Sequence, residues 1–566
     1  MFGHFGLLER RVAYRISSSL IRVLLLAHLL ALNLCFQAQG EISLETYKHS
    51  NTITSTANGF EISGQLKPNL TLYENNHYLF AKSDTNTTLF YISDSIGSTY
   101  GGSDVFNNGL SSLSEYLLLS PNTSTPILHY YDPGDTNNSG QITFEPYQKL
   151  PLQFPDIVNQ EASFGISVVI DESNQTIVGA HQEDDKLGKI YLLDRLADLS
   201  VNQVAEISPP ENLGRMSFGS FLASSGTFLA VGAPDTNSFQ GKVYLYEKTD
   251  GNYSIDANLS DPNGQANDTF GSGLSLHGTS LVVSSPQKLS GLGPGKVILF
   301  ERNSSTSQWD ISKTFWSDSN QTDEYFGNDL ALSSNYLLIG APREDDGSNG
   351  TDSGAAYLFE KNSTTQIWSS EATRFSPSSL SPNDEFGHSV ALWDNYAFIG
   401  AKNGGDSNDT GVVYVFEKED GMWNEKQKID PPTGADLQNF SQTLVAYAGL
   451  LGISSPGAGE DGMIYLFEKE NDTDSWNLIS SLDSNDSTIS SRTVSPFAMG
   501  DGMVVTGNPE DDSNQSFAGS VQFFYNSAWQ SRERFELAPI IDGNSSTQFS
   551  TAEDSSGFLH DFNGSH

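Results

Sequence analysis

Short runs of carboxylates are the residues in this sequence whose types and spacing could do chemistry. Each run follows a predicted strand, so several runs around one rim would focus negative potential on a basic partner or share calcium. The plainer alternative is a solvated acidic surface that keeps the protein soluble. The candidate ligand-binding residues are Glu183, Asp184, Asp185, Glu344, Asp345, Asp346, Glu460, Asp461, Glu510, Asp511 and Asp512.

Two further motifs suggest enzyme chemistry but lack its sequence context. Gly387–Ala391 resembles a nucleophile elbow, yet it lacks the final glycine and lies between predicted strands. Gly291–Lys296 resembles a phosphate-binding loop, yet it lacks the first glycine, and Val297 stands where Ser or Thr is required. We therefore predict no catalytic residue, no metal ligand set and no cofactor, and we expect that the protein is not an enzyme.

Charge and cysteine content exclude several classes of function. The 566 residues include 70 acids and 29 bases, for a net charge of −41. So negative a chain is repelled by nucleic acid, which argues against a nucleic-acid partner. Cys35 is the only cysteine, so the chain cannot form an internal disulfide.

Residues 1–40 resemble a secretory signal peptide. Four arginines precede the apolar run Leu24–Leu34, and the small residues Ala38 and Gly40 flank a predicted cleavage point. The run is short for a membrane span, although retention as an uncleaved anchor stays open. We expect a secreted protein with no transmembrane segment after the signal. Association of this protein with the cell surface stays open.

The sequence also contains many acceptor motifs for N-glycosylation, which suits a secreted chain. The 19 Asn-x-Ser/Thr asparagines are Asn69, Asn86, Asn122, Asn137, Asn174, Asn252, Asn258, Asn267, Asn303, Asn320, Asn349, Asn362, Asn408, Asn439, Asn471, Asn485, Asn514, Asn544 and Asn563.

Internal repeats organise the chain behind these residues. A Phe-Gly step leads to a Gly-Ala-Pro step, as from Phe326-Gly327 to Gly340-Ala341-Pro342. Seven copies start 52 to 60 residues apart, and the last copy, near Thr493, is degenerate. Each copy contains four short strand patterns, and a period of this length fits one small antiparallel sheet.

Four short strands cannot bury both faces alone, so the repeats predict a ring of sheets, an all-β propeller of four-stranded antiparallel blades. Seven blades are favoured and eight remain possible. The predicted domains are a signal peptide (1–40), an N-terminal region with two degenerate propeller repeats (41–160), the main repeats (161–537) and a flexible polar tail (538–566). In each repeat, Phe fills the seam between sheets and Gly permits close backbone approach.

These repeats resemble the FG-GAP repeats of integrin alpha-subunit propellers, and still more the shorter secreted FG-GAP proteins of bacteria and protists. Phe386–Leu392, Gly340–Pro342 and Tyr414–Glu417 match that pattern. The resemblance implies a propeller for extracellular recognition or adhesion. Integrin repeats carry a calcium cage between these steps, but Ser333–Asn335 and Trp393–Asn395 offer too few oxygens. The calcium sites of the family are therefore not assigned to this sequence, and whether it binds calcium stays open.

We expect a secreted glycoprotein that recognises an extracellular protein or glycan through its loops, without catalysis. Two alternatives remain. One is a structural component of a cell coat or matrix. The other is a propeller glycosidase, which would need two convergent carboxylates in a central pocket.

Overall fold

A computed structural model of the chain describes ten strands between residues 49 and 145 and most of the chain from 147 to 526. Within the latter stretch the described residues are 147–150, 161–196, 200–287, 293–317, 319, 321–405, 410–432, 439–458, 462–469, 475–483, 496–511 and 518–526. The predicted signal peptide and polar tail lie outside these residues.

Seven four-stranded antiparallel sheets form a β-propeller, which confirms the predicted fold class and the favoured blade count. Each of blades 1 to 6 uses four consecutive strands. In chain order, four to a blade, they are β12 (Phe164–Ile170), β13 (Thr176–Ala180), β14 (Lys189–Arg195), β15 (Val201–Ile207), β16 (Phe221–Ser225), β17 (Phe228–Ala233), β18 (Lys242–Thr249), β19 (Asn252–Leu259), β20 (Leu274–His277), β21 (Ser280–Ser285), β22 (Lys296–Arg302), β23 (Trp309–Phe315), β24 (Leu330–Leu332), β25 (Tyr336–Ala341), β26 (Ala355–Glu360), β27 (Thr373–Phe375), β28 (Phe386–Trp393), β29 (Tyr396–Ala401), β30 (Val412–Glu419), β31 (Met422–Ile429), β32 (Leu444–Tyr447), β33 (Leu450–Ser455), β34 (Met463–Lys469) and β35 (Trp476–Asp483).

Blade 7 closes the ring with strands from both ends of the repeat region. Its inner three strands are β36 (Phe497–Gly500), β37 (Met503–Asn508) and β38 (Ser520–Tyr525), and its outer strand is β11 (Gln148–Lys149). The first strands of neighbouring blades contact one another in a cycle that returns from blade 7 to blade 1. Closure of this kind covers the ends that a row of sheets would leave exposed.

The Phe-Gly step fills the seam between blades, as the sequence predicts. Phe326 is fully buried in an apolar cluster with Leu299 of blade 3 and Leu337 of blade 4. Its ring packs edge-on against Tyr357, with 5.4 Å between ring centroids, a favoured geometry for aromatic pairs. Each blade therefore shares its core with its neighbour.

A second glycine, at the start of each third strand, permits close approach across the same seam. Gly354 of blade 4 forms a parallel bridge with Phe386 of blade 5 and has a φ of +85°. A Cβ atom at Gly354 would lie 2.1 Å from the carbonyl oxygen of Phe386. Only glycine fits such a position without displacement of the backbone.

The strands between residues 49 and 145 pair in two other sheets. The ten strands are β1 (His49–Thr56), β2 (Gly59–Ile62), β3 (Gln65–Leu66), β4 (Leu70–Tyr73), β5 (Tyr78–Lys82), β6 (Tyr91–Ser93), β7 (Leu110–Leu113), β8 (Tyr116–Leu119), β9 (Leu128–Asp132) and β10 (Asp135–Glu145). The order β3-β2-β1-β5-β8-β7 contains a parallel pair, as does the order β4-β10-β9-β6, whereas every blade is antiparallel. The two degenerate repeats predicted in residues 41–160 fall in this part of the chain, from which β11 joins the ring.

Because the strands of a blade alternate in direction, the propeller has two distinct faces. We call the loop face the side formed by the connections from second to third strands and from each blade to the next. The hairpin face is the opposite side, formed by the turns from first to second and from third to fourth strands. Within the described residues, no helix is long and apolar enough to cross a membrane.

Candidate binding site on the loop face

The acidic runs lie on the loop face, but one carboxylate in each of the three described runs is buried. Glu183, Glu344 and Asp511 are 1–2% exposed. They occupy equivalent positions, and the main-chain oxygen of each accepts a hydrogen bond from the glycine that starts the third strand of its blade. In blade 2 the same position is taken by Thr236, also fully buried. This position therefore shapes the loop and does not face solvent.

Glu344 shows how a blade satisfies such a carboxylate. Its Oε1 accepts two hydrogen bonds from Arg374, at 2.9 and 2.7 Å, and its Oε2 accepts one from the Tyr357 hydroxyl at 2.5 Å. Arg374 also pairs with Asp346 at 3.1 Å, and the Ser376 hydroxyl donates to the same carboxylate. Glu344 and Asp346 thus anchor the loop to the outer strand of blade 4, and they are engaged within the fold.

Fewer of the candidate acids remain exposed on the loop face than the sequence suggests. Those that do are Asp184, Asp185, Asp345 and Glu510, and Asp345 also accepts a hydrogen bond from the Asp352 main chain at 2.9 Å. Glu460, Asp461 and Asp512 lie outside the described residues.

Two loops on this face form left-handed helical turns, α1 (Glu183–Lys186) and α2 (Thr236–Phe239). The last three residues of each turn have positive φ, from 51° to 71° in α1 and from 52° to 63° in α2. Residues other than glycine rarely adopt this conformation, and hardly ever in succession. The surrounding structure must therefore hold both turns in place.

Backbone hydrogen bonds from the next blade hold these turns. The main-chain amides of Met216 and Ser217 donate to the Lys186 oxygen at 3.0 and 2.9 Å. In the same way, the Thr269 amide donates to the Phe239 oxygen at 2.7 Å. Each turn is therefore fixed at a seam between blades, where the ring is rigid.

A cleft of about 370 Å³ opens beside α1, at the seam where blade 7 meets blade 1. Its volume is within the range of small-molecule sites in proteins. Glu161 and Glu510, at its edge, are both exposed. The lining residues are Glu161, Ser163, Ile166, His181, Gln182, Pro509 and Glu510.

His181 lines the cleft at the position where five of the other six repeats have a proline, blade 5 having Lys402 instead. Burial lowers the pKa of its imidazole below the usual value, with Lys186 and Arg215 acting in the same direction and Asp235 opposing them. The lowered pKa favours the neutral imidazole at pH 7. Its Nδ1 is buried and has no hydrogen-bond partner among the described residues.

Beside α1, blade 2 adds an arginine and an aromatic ring to the same sector. Arg215 Nε donates to Asp235 Oδ2 at 2.5 Å, and the Ser217 hydroxyl donates to the same oxygen at 2.7 Å. The Arg215 guanidinium lies 5.2 Å from the centroid of Phe239, which is 37% exposed. His181, Arg215 and Phe239 were not among the predicted site residues, although the departure from Gly-Ala-Pro at His181 is visible in the sequence.

The two enzyme-like motifs are structural in this fold. The Ser389 hydroxyl is buried and donates to the Ser441 main-chain oxygen at 2.6 Å, across the seam to blade 6. Lys296 is buried between Asp261 and Asp268, at 2.5 and 3.0 Å. In the described part of the chain, no group of three or more His, Cys, Asp or Glu side chains is arranged to hold a metal ion.

The exposed glycosylation asparagines concentrate away from the loop face. Asn252, Asn303 and Asn362 lie in turns of the hairpin face, and Asn258 lies on an outer strand. The other asparagines with described side chains, Asn174, Asn267, Asn349 and Asn439, are half-buried. Asn137 lies in β10, and the remaining predicted sites fall outside the described residues: Asn69, Asn86, Asn122, Asn320, Asn408, Asn471, Asn485, Asn514, Asn544 and Asn563.

The FG-GAP repeat family model matches residues 312–359 and 368–416. The first match begins in the fourth strand of blade 3 and the second begins just before the fourth strand of blade 4. Each ends in the third strand of the next blade, so the sequence repeat is offset by one strand from the blade. This offset explains why an N-terminal strand completes blade 7. Comparison with curated proteins gives no match for this chain. The chain thus carries FG-GAP repeats, and its seven blades are consistent with a propeller like that of integrin alpha subunits.

Proposed function

We propose that this seven-bladed FG-GAP propeller is a secreted, non-catalytic recognition module that binds an extracellular protein or glycan at the loop face of blades 7, 1 and 2. The observation that carries the proposal is the pair of left-handed turns, α1 and α2. Strained backbone that is held by its surroundings clusters at ligand-binding sites. Here two such turns lie on neighbouring blades of one face, next to a cleft.

The chemistry of this sector favours a polar ligand with a cationic group. Glu161 and Glu510 offer carboxylates, His181 contributes an uncharged ring to the lining, and the net charge of −41 attracts cations over a longer range. Phe239 and Arg215 supply the aromatic and guanidinium groups that dominate binding energy in many interfaces. Binding would use these preformed groups, and no covalent bond would change.

The exposed sequons among the described residues fit this orientation. The N-terminal 40 residues resemble a secretory signal, so the exposed asparagines would meet the glycosylation machinery. Glycans on Asn252, Asn303 and Asn362 would lie on the hairpin face. Of the sequons in the loop-face connections of blades 7, 1 and 2, Asn267 is half-buried and Asn514 falls outside the described residues.

Saturable binding to intact cells of the source organism tests the proposal. The labelled, glycosylated chain is compared with the double variant Glu161→Gln/Glu510→Gln, which removes both carboxylates of the cleft. Asp310→Asn/Asp394→Asn is the matched control, because it removes two exposed carboxylates away from the loop face. We expect at least about tenfold weaker binding for the cleft variant, or 1.4 kcal/mol, and unchanged binding for the control. Equal binding by all three proteins would refute the assignment, and no saturable binding would favour the cell-coat role.

A glycosidase is the second candidate function, because Glu161 and Glu510 line the same cleft and glycosidases use two carboxylates. Release of reducing ends from cell-surface polysaccharide by the wild-type protein, abolished by Glu510→Gln, would favour that alternative. Our proposal predicts no release by either protein.

A further inference from the structure

One turn on the hairpin face differs from its counterparts in the other blades. In blade 1, Ile170 pairs with Thr176, so five residues, 171–175, connect the first two strands. Blade 4 has four residues at this point, and the other five blades have two. Asp171 organises the long turn, since its Oδ1 accepts hydrogen bonds from the Ser173 and Gln175 amides at 2.9 and 3.0 Å.

Three oxygens of this turn surround the ammonium group of Lys248, which comes from the third strand of blade 2. Lys248 Nζ lies 2.6 Å from Asp171 Oδ2, 2.7 Å from Ser173 Oγ and 3.2 Å from Gln175 Oε1. An ammonium has three donors, and here each has an oxygen. The Tyr253 hydroxyl also donates to Asp171 Oδ2, at 2.8 Å.

The spacing of these oxygens is that of a calcium-binding loop. Side chains at positions one, three and five of such a loop turn inward on the cation, and Asp171, Ser173 and Gln175 have this spacing. Calcium, however, requires six to eight oxygens. The residues present do not fit calcium while Lys248 is in place, because its ammonium occupies the centre of the three oxygens.

Lys248 is one of several cations that bind across seams on the hairpin face. Each comes from the end of a third strand and pairs with an acid at the same point of the preceding blade. The other pairs are Arg302 with Glu247 at 3.1 Å, Lys361 with Glu301 at 3.1 Å and Lys418 with Glu360 at 2.7 Å. Lys248 differs from these three cations, because it meets the three-oxygen turn instead of a strand-end glutamate.

We propose that Lys248 is a built-in cation that fills a calcium-type loop, so that the seam between blades 1 and 2 is stable without calcium. The ammonium neutralises Asp171, whose carboxylate is 1% exposed, and joins the two blades. Removal of the ammonium leaves the oxygens of Asp171, Ser173 and Gln175 for a divalent cation, whose remaining ligands would be water. This inference goes beyond the proposed function and does not depend on it.

The test is thermal unfolding of the full secreted chain in CaCl2 and in EDTA. We expect the wild-type melting temperature to agree in the two buffers within about 1 °C. Lys248→Ala should melt several degrees lower in EDTA, and CaCl2 should restore most of the loss. Tb³⁺ luminescence excited through tyrosine gives a second readout, because Tyr253 contacts the site. A Tb³⁺ signal from this loop is expected in Lys248→Ala and not in the wild type.

Lys361→Ala is the matched control. It removes a similar cross-seam pair, but one that leaves a single glutamate and no set of three oxygens. Its melting temperature should fall without recovery in CaCl2. A wild-type protein that CaCl2 stabilises would overturn the proposal, as would a Lys248→Ala variant that calcium does not stabilise. If Lys248→Ala is not secreted, Lys248→Gln is compared in the same two buffers, with the same expected result.

Discussion

Glu324 is a buried carboxyl whose ionisation should set how the stability of the propeller depends on pH. It lies two residues before the seam residue Phe326 and is fully buried. Its Oε1 accepts hydrogen bonds from the Ser319 hydroxyl and from the Gln321 amide. Burial raises its pKa to about 7, assisted by nearby Glu344 and opposed by the Ser317 hydroxyl, the Gln321 amide and Arg374.

The expected magnitude follows from this pKa. The ordinary value for a glutamate is 4.5, and the folded value is about 7. The folded chain therefore binds this proton more tightly than the unfolded chain does. The contribution of Glu324 to stability is full below pH 4.5, falls as the pH rises towards 7 and is then constant. The difference between the two pKa values corresponds to about 3 kcal/mol.

Glu324→Gln removes the ionisation and keeps the shape of the side chain. At pH 8 the variant should therefore be more stable than the wild type by up to about 3 kcal/mol, or about 3–6 °C in melting temperature for a domain of this size. At pH 5 the two proteins should melt together. Thermal unfolding of both proteins at pH 5, 6, 7 and 8 measures the effect.

Asp268 is the matched control, since it occupies the equivalent position before Phe270. Burial would raise its pKa, but hydrogen bonds from Gln265, Lys296 and Gln287 outweigh burial and lower it. A lowered pKa contributes stability above the unfolded value, and this contribution is lost only in acid. Asp268→Asn should therefore destabilise the propeller equally from pH 5 to 8. A Glu324→Gln effect that is also constant over this range would refute the reasoning.

Three further perturbations test how the ring is held together. Gly354→Ala should lower the melting temperature and the secreted yield, because its Cβ would lie 2.1 Å from the Phe386 oxygen; circular dichroism melts and secretion assays measure this, and wild-type values would count against the seam. Arg374→Met should cost about 3–5 kcal/mol at pH 7, because Glu344 is left buried without its cation; denaturant unfolding checks this, and a loss under about 1 kcal/mol would contradict it. Deletion of Gln148–Lys149 should expose an edge of blade 7 and promote self-association, seen by size-exclusion chromatography; an elution volume equal to that of the wild type would contradict strand-mediated closure.

The blades could be predicted because each repeat contains the local sequence signals for its own strands and turns. Alternating apolar residues, the Phe-Gly step and the Gly-Ala-Pro step recur at a nearly constant period, and the structure confirms seven blades. Phe326 illustrates the point, since its burial at a seam follows from the pattern alone. The short strand Gln148–Lys149 could not be predicted in this way, because two polar residues carry no periodic signal.

The candidate site was harder to predict because its geometry depends on neighbouring blades. Glu183, Glu344 and Asp511 resemble surface acids in the sequence, and only their constant place before a third-strand glycine indicates a structural role. The turn at Asn237–Phe239 opposes local backbone preference and is held by amides of the next blade. The cross-seam lysines follow a recurrent Glu-Lys pair, but their partners lie in another repeat.

The most direct test of the central claim, that the loop face of blades 7, 1 and 2 binds the partner, is steric blocking by a glycan. Phe239→Thr creates an Asn-Ser-Thr acceptor at Asn237, in the exposed turn α2. Asn303→Gln is the comparison, because it removes an acceptor from the hairpin face. With glycan occupancy established by mass spectrometry, the account predicts that Phe239→Thr abolishes saturable cell binding and that Asn303→Gln leaves it unchanged. Full binding by a glycosylated Phe239→Thr protein would contradict the account.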